Sequence, residues 1–216
     1  MTATARRVRR PDERPQEILE AALTVFAERG FHDARLEEIA DAAGVTKGAI
    51  YHYFDTKEDL LLRAIEYHQS QGYAELEAAL PDRSAPATVR IRAMLRKAFG
   101  SKNPARRAVL VMLQTAVREV PEIHAQWLAN GPLKTWQLLA ELIAEGQRTG
   151  EFRRDADADV AGRVVLSGVL LQVLWQRHAP SVPGLGIDED RLIDSAADLL
   201  LAGLRPVPNQ PVLTSR

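Results

Sequence analysis

Apolar positions along this 216-residue chain recur at three- and four-residue spacings, and no stretch shows the two-residue alternation of a half-buried strand. The pattern predicts an all-α protein of about nine helices. Pro15 suits the first turn of the opening helix, whose inner face is Ile18, Leu19, Ala22, Leu23, Val25 and Phe26 and whose end is Gly30, with Phe31 closing a small core. Thr56 is placed to N-cap a long helix carrying Leu60, Leu61, Ala64, Ile65 and Leu76, with PDRSAPAT as the loop that follows. Further helices are predicted over 87–99, 105–118, 121–149, 157–178 and 188–204, the third of these broken at Asn130-Gly131-Pro132.

Between the first and the long helix lies LEEIADAAGVTKGAIYHYFDTK, residues 36–57. Leu36, Ile39, Ala40 and Ala43 put one apolar face on a short helix. Gly44 follows where a left-handed residue ends a helix without a Cβ penalty. Thr46 can cap a second helix whose Ile50 and Phe54 point inward, leaving Lys47, Gly48, Ala49, Tyr51, His52 and Tyr53 on the other side. This is a helix-turn-helix whose second helix fits a major groove.

The order AALTVFAERGF, then EEIADAAGVTKGAIYHYFDTKEDL, resembles the TetR family of bacterial transcriptional regulators from about Ile18 to Leu61. The resemblance implies an N-terminal three-helix DNA-binding domain and a C-terminal helical domain for effector binding and dimerisation. The expected division is a basic arm at 1–13, the DNA-binding domain at 14–60, the effector domain at 61–205 and a loose tail at 206–216. The family usually carries a Thr pair where this chain has Ala34 and Arg35, so the hydroxyl cap is missing and Arg35 is the substitute phosphate contact. The expected DNA-binding set is Arg35, Thr46, Lys47, Gly48, Ala49, Tyr51, His52, Tyr53 and Lys57. Plainer readings stand beside several of these: a solvated lysine at Lys47, a weak spot at Gly48, a tyrosine sealing the core at Tyr51 or Tyr53, a surface ion pair of Lys57 with Glu58 or Glu38.

Composition narrows the chemistry. Cysteine is absent, which excludes disulfides and thiolate chemistry. No metal site and no cofactor are expected, because no partner of His52 has ligand spacing. The formal net charge is −1, and residues 1–67 hold ten Lys/Arg against thirteen Asp/Glu; placement therefore matters more than the sum, with Arg6, Arg7, Arg9, Arg10, Lys47 and Lys57 the bases expected near phosphate. The Arg6–Arg10 arm either enters a minor groove or adds diffuse attraction. No secretory pattern opens the chain, and the apolar run Val164–Trp175 is shorter than the roughly 20 residues that span a bilayer. A cytoplasmic protein without membrane partners is expected.

The helix over 157–178 is apolar almost all round, so it is either a wholly internal core helix or one that a second chain covers. The family resemblance favours a homodimer of four interface helices, two per subunit, with Val164, Gly168, Leu171, Ile193, Ala197, Leu200 and Leu204 at the contact. Met94, Phe99, Met112, Trp127, Trp136 and Trp175, with Gln114 and Gln172 as polar contacts, are candidates for an apolar effector pocket, although each taken singly also fits ordinary core.

The expected function is a ligand-responsive DNA-binding regulator, a homodimeric repressor on a palindromic operator, released by a small and largely apolar effector. An activator or an effector-independent regulator of the same fold is the alternative. An all-helical enzyme using His124 or His178 as a base is the reading furthest from the motifs, since no catalytic constellation accompanies either histidine.

Overall fold

The computed structural model describes residues 14–100, 121–179 and 181–206. Among the described residues there are nine helices and no strand: α1 (Arg14–Arg29), α2 (Leu36–Ala43), α3 (Lys47–Tyr53), α4 (Lys57–Ala78), α5 (Ala87–Phe99), α6 (Pro121–Asn130), α7 (Pro132–Thr149), α8 (Ala158–His178) and α9 (Glu189–Leu204). The Arg6–Arg10 arm, the helix predicted over 105–118 and the end of the chain from 207 lie outside the described residues. The chain divides into two units, the first holding residues 14–71 and 121–130 and the second 72–100 and 131–206.

In the first unit the predicted inner faces meet. Ile18, Ala22 and Phe26 of α1, Ile39 of α2, Ile50 of α3 and Leu60, Leu61 and Ala64 of α4 are at most 1% exposed. Phe26 and Phe31 meet ring to ring at 5.7 Å, tilted, so the residue after Gly30 closes the core as its position suggests. Helix α6 joins this core through Ile123 and Trp127, and the Gln69 amide of α4 donates to the Trp127 carbonyl at 2.9 Å. Tertiary packing places this segment, which is distant in sequence, with α1 to α4.

In the second unit α5, α7, α8 and α9 enclose Ile91, Met94, Leu95, Leu139, Ile143, Leu166, Val169, Ile193 and Ala197. Pro86 precedes α5 and offers no side-chain cap. Glu151, from the turn after α7, takes that role: its carboxylate accepts from the Ala87 and Thr88 N–H groups at 2.7 and 2.8 Å. Two free donors and the positive end of the helix dipole are met by one anion. Arg92 and Arg96 on α5 pair with Asp198 and Asp194 on α9, one helical turn apart on each side. Arg90 is 7% exposed and reaches Glu145 of α7 at 2.6 Å.

By length and composition α8 is able to cross a membrane over Ala158–Gln176, with mean hydropathy 1.4, a longer apolar span than the run Val164–Trp175 taken from the sequence. Its polar groups show a different use. Arg163 pairs with Asp159 and lies 5.0 Å from the centroid of the Trp136 ring, and Gln172 donates to the Leu185 carbonyl at 2.8 Å. The helix has two apolar faces: one fills the second unit's core, and the other is open.

Candidate nucleic-acid interface

The turn before α3 and the cap at its start set its place. Gly44 adopts φ +66°, and the Gly44 and Val45 N–H groups donate to the Asp41 and Ala40 carbonyls at 3.2 and 2.9 Å. These two bonds form a Schellman stop for α2. Two residues after Gly44, the Thr46 hydroxyl accepts from Ala49 N–H at 3.2 Å and starts α3. Ile50 and Phe54 are buried beneath it. With its start capped and its underside buried, α3 leaves one face open, and it is the face carrying Lys47, Gly48, Tyr51 and His52, all exposed. Ala49 and Tyr53 are half-buried, and the Tyr53 ring meets His52 edge-on at 4.9 Å.

A Cβ built on Gly48 would meet nothing nearer than the Thr46 hydroxyl at 3.9 Å. The protein itself therefore does not require glycine there. Room is left on the outside, where a nucleic-acid backbone can approach closely.

Lys47 does not project alone. Its ammonium lies 2.7 Å from Glu37 Oε1 on α2 and 5.9 Å from the centroid of the Tyr51 ring. The hydrogen bond to Lys47 holds the Glu37 carboxyl below the usual glutamate range, and the same bond raises the lysine. The sequence reading places Glu37 among acids on faces turned away from DNA; the structure instead sets it beside Lys47 of α3.

Lys57 points back into the first unit. Its ammonium donates to the His32 carbonyl at 3.0 Å and sits 4.8 Å from the centroid of the Phe31 ring. Arg35 is exposed and caps nothing with its side chain, because guanidinium has no acceptor. The start of α2 is secured from the other direction: Glu38 accepts from the Arg35 N–H at 3.1 Å, half of a capping box. Glu38, not a hydroxyl at the preceding positions, replaces the missing cap.

These helices match the family model of bacterial regulatory proteins, tetR family, over residues 18–64. A transcriptional regulator of Cereibacter sphaeroides, AcuR, is 34% identical over 148 residues, which cover 67% of this chain and 67% of AcuR. The chain belongs to the TetR family. The transcriptional repressor KstR2 of Rhodococcus jostii is 28% identical over 194 residues, 88% of this TetR-family chain and 91% of KstR2. The crystal structure of the regulator FadR from Bacillus subtilis in complex with stearoyl-CoA has the same fold, with a TM-score of 0.71 at 24% identity over 88% of this chain and 99% of FadR. As a TetR-family member this protein is a ligand-responsive, DNA-binding transcription regulator, and the helix-turn-helix just described is the family's DNA-binding element.

The described members of the predicted effector set fall in different places within the two units, and Met94, Phe99 and Trp136 share the second unit's core. Trp127 belongs to the core of the first unit, where its ring stacks on His124 at 5.8 Å. Met94 is fully buried in the second unit, and Gln172 is engaged by the Leu185 carbonyl. Trp175 is 53% exposed on the open face of α8. Phe99 and Trp136 alone are half-buried against the second unit's core. Met112 and Gln114 lie outside the described residues. Aromatic and methionine content located apolar clusters in the sequence, but nothing in it distinguished one cluster from another.

The predicted interface splits by helix. Val164, Gly168 and Leu171 of α8 are exposed. Ile193, Ala197, Leu200 and Leu204 of α9 are instead buried within their own chain, which corrects the expectation for these four. The more apolar face of α9 is claimed by the second unit's core. Its outer face carries Ser195, Leu199 and Ala202, and Leu199 is 75% exposed.

Proposed function

We propose that this protein is a homodimeric repressor that binds a palindromic operator and leaves it when a small, largely apolar effector binds. One observation carries the reading: α3 is capped at its start by Thr46 and buried on its underside at Ile50 and Phe54, so that Lys47, Gly48, Tyr51 and His52 form its free face. In the complex Lys47 reaches a base edge or phosphate, Tyr51, His52 and Tyr53 supply phosphate contacts, the DNA backbone passes close to Gly48 and Ala49, and Thr46 contributes its free valence beside the helix start. Arg35 adds a phosphate contact from the start of α2, whereas Lys57, turned to the His32 carbonyl and the Phe31 ring, is left out of the contact set.

The dimer we propose covers the outer stripe Val160, Val164, Gly168, Leu171 and Trp175 of α8 together with Leu199 of α9. The support is exposure: Val160, Val164, Leu171, Trp175 and Leu199 are between 43% and 75% exposed, on the two helices that end the described fold. A contiguous apolar surface of this kind marks an interaction site. Two-fold pairing sets two reading helices about one DNA turn apart, ~34–36 Å, or somewhat more. The effector binds in the second unit, with Phe99 and Trp136 among its contacts, and the working compartment is the cytoplasm, where the operator is. Long-chain acyl-CoA is the first compound class to assay, because the B. subtilis neighbour holds stearoyl-CoA.

The test is direct binding to the DNA upstream of the protein's own gene and to fragments selected from genomic DNA at stated salt. Replacing Lys47 by Ala and Tyr51 by Phe is expected to weaken binding by ~1–3 kcal/mol per lost contact. Unchanged operator affinity in that double variant sinks the reading. An effector is recognised by release of the operator; a compound that binds without changing operator affinity is not one.

A further inference from the structure

Lys57 begins α4, where the positive end of the helix dipole disfavours an ammonium. The backbone at this point is set by a reciprocal cap: the Thr56 hydroxyl accepts from the Asp59 N–H at 3.0 Å, and the Asp59 carboxylate accepts from the Asp55 N–H at 3.2 Å. From there the Lys57 ammonium reaches across 25 residues of sequence to the His32 carbonyl and lies over the Phe31 ring. Phe31 is itself held, 7% exposed and against the Phe26 ring of α1. Between the two ends of this bond lie the whole of α2 and the whole of α3. One ammonium thus closes a loop around the helix-turn-helix. We infer that Lys57 is a positioning residue, which pins together the two ends of segment 32–57 and so keeps α2 and α3 ordered for DNA before DNA is present.

The bond points inward and stays made when DNA binds, so it adds no contact energy to the complex. Its effect falls on the free chain. The bend it reaches starts at Gly30, in the left-handed region at φ +81°. Without the bond the bend and the start of α4 separate more easily, and less of the free protein holds α2 and α3 in reading geometry. Apparent affinity falls with that competent fraction. A phosphate contact behaves otherwise: its loss reduces the counterions released and flattens the salt dependence. The inference rests on the reading that α3 faces DNA, and the experiment separates the two.

Amide hydrogen exchange of the free full-length chain, and its binding to a selected operator across a salt series, are measured for the unchanged protein, Lys57→Met and Lys57→Arg. Methionine keeps an apolar stem against Phe31 and loses the donor; arginine keeps donor and charge. Lys57→Met is expected to speed exchange in α2 and α3 by about 2- to 10-fold, the worth of one hydrogen bond, while the amides of α1 keep their rates. Operator affinity falls by a similar factor, the salt slope is unchanged, and Lys57→Arg restores both readouts. A slope lowered by about one per subunit, with exchange unaltered, assigns Lys57 to phosphate and overturns the inference. Exchange that quickens equally in α1 also overturns it, because Lys57 then serves general stability. So does a Lys57→Met protein that exchanges and binds like the original. Should Lys57→Met fail to fold, Lys57→Gln, too short to reach His32, takes its place in the same comparison. The double variant Lys47→Ala, Tyr51→Phe reports on the underlying reading separately: operator affinity retained there removes α3 from DNA, whatever the exchange rates of the Lys57 variants.

Discussion

The Phe152 ring lies directly on Gly146, and the Phe152 N–H donates to the Gly146 carbonyl at 3.0 Å. A β-carbon on Gly146 would overlap the ring at its Cδ2 and Cε2 atoms. Phe152 is 3% exposed and has little room to retreat. Gly146→Ala is therefore expected to destabilise the fold by ~1–3 kcal/mol, the range for overpacking a filled core. This outweighs the roughly 1 kcal/mol that alanine gains in a helix interior. Chemical denaturation of the variant checks the sign: a more stable Gly146→Ala protein contradicts the packing described.

Gly48→Ala should behave in the opposite way. The position has open space around it, so alanine is accommodated and helix propensity stabilises the protein by up to ~1 kcal/mol. Operator affinity should nevertheless fall, because the added methyl occupies the space proposed for DNA. Thermal unfolding and operator binding measured on the same preparation give the two signs together. A variant that is more stable and binds equally well would show that Gly48 faces nothing.

Leu199 and Ile193 lie on one helix with opposite surroundings, 75% and 1% exposed. Ile193→Ala should cost ~2–5 kcal/mol of stability, as for any large-to-small change in a core. Leu199→Asp should leave the isolated fold intact and shift the protein to monomer, seen by sedimentation, with an unfolding midpoint that loses its dependence on protein concentration. A Leu199→Asp protein that remains dimeric at micromolar concentration would move the proposed interface elsewhere.

Glu151 links stability to pH. Burial by itself would raise its pKa, but the bonds from Thr88 and Ala87 outweigh burial and hold the carboxyl below the ordinary glutamate value. A lowered folded-state pKa means that the ionised form is the one favoured by folding. Its contribution is complete above the unfolded value of about 4.3, and it is lost as pH falls through the lower folded value. Glu151→Ala is expected to lower stability at pH 7 by ~1 kcal/mol, the worth of a helix cap. The same change should have less effect at pH 3 and below. Denaturation at both pH values measures the difference, and a variant equally destabilised at each would remove the ionic part of the cap.

The first unit was legible because its local signals agree. Gly44, Thr46, Ile50 and Phe54 each specify their own backbone or burial through neighbours only a few residues away, and the family resemblance falls on the same segment. The second unit was legible as helices and much less as surfaces. Period 3.6 finds the apolar stripes of α9, yet it does not decide which stripe the chain keeps for itself, and Ile193 was accordingly assigned to the interface while Leu199 was not. Glu151 acts on residues 63 and 64 positions away, a distance at which no sequence spacing carries information. Trp127 reads in the sequence as a pocket candidate or ordinary core, and its place in the first unit's core depends on how the chain returns there. Glu37 is a third case: its position on α2 was clear, whereas its pairing across the turn required the geometry of Gly44.

The inward reach of Lys57 has a mechanical consequence. By gripping the His32 carbonyl and covering Phe31, it rivets the first turn of α4 to the bend that precedes α2. A tilt of that turn of α4 is therefore expected to carry the bend before α2 with it.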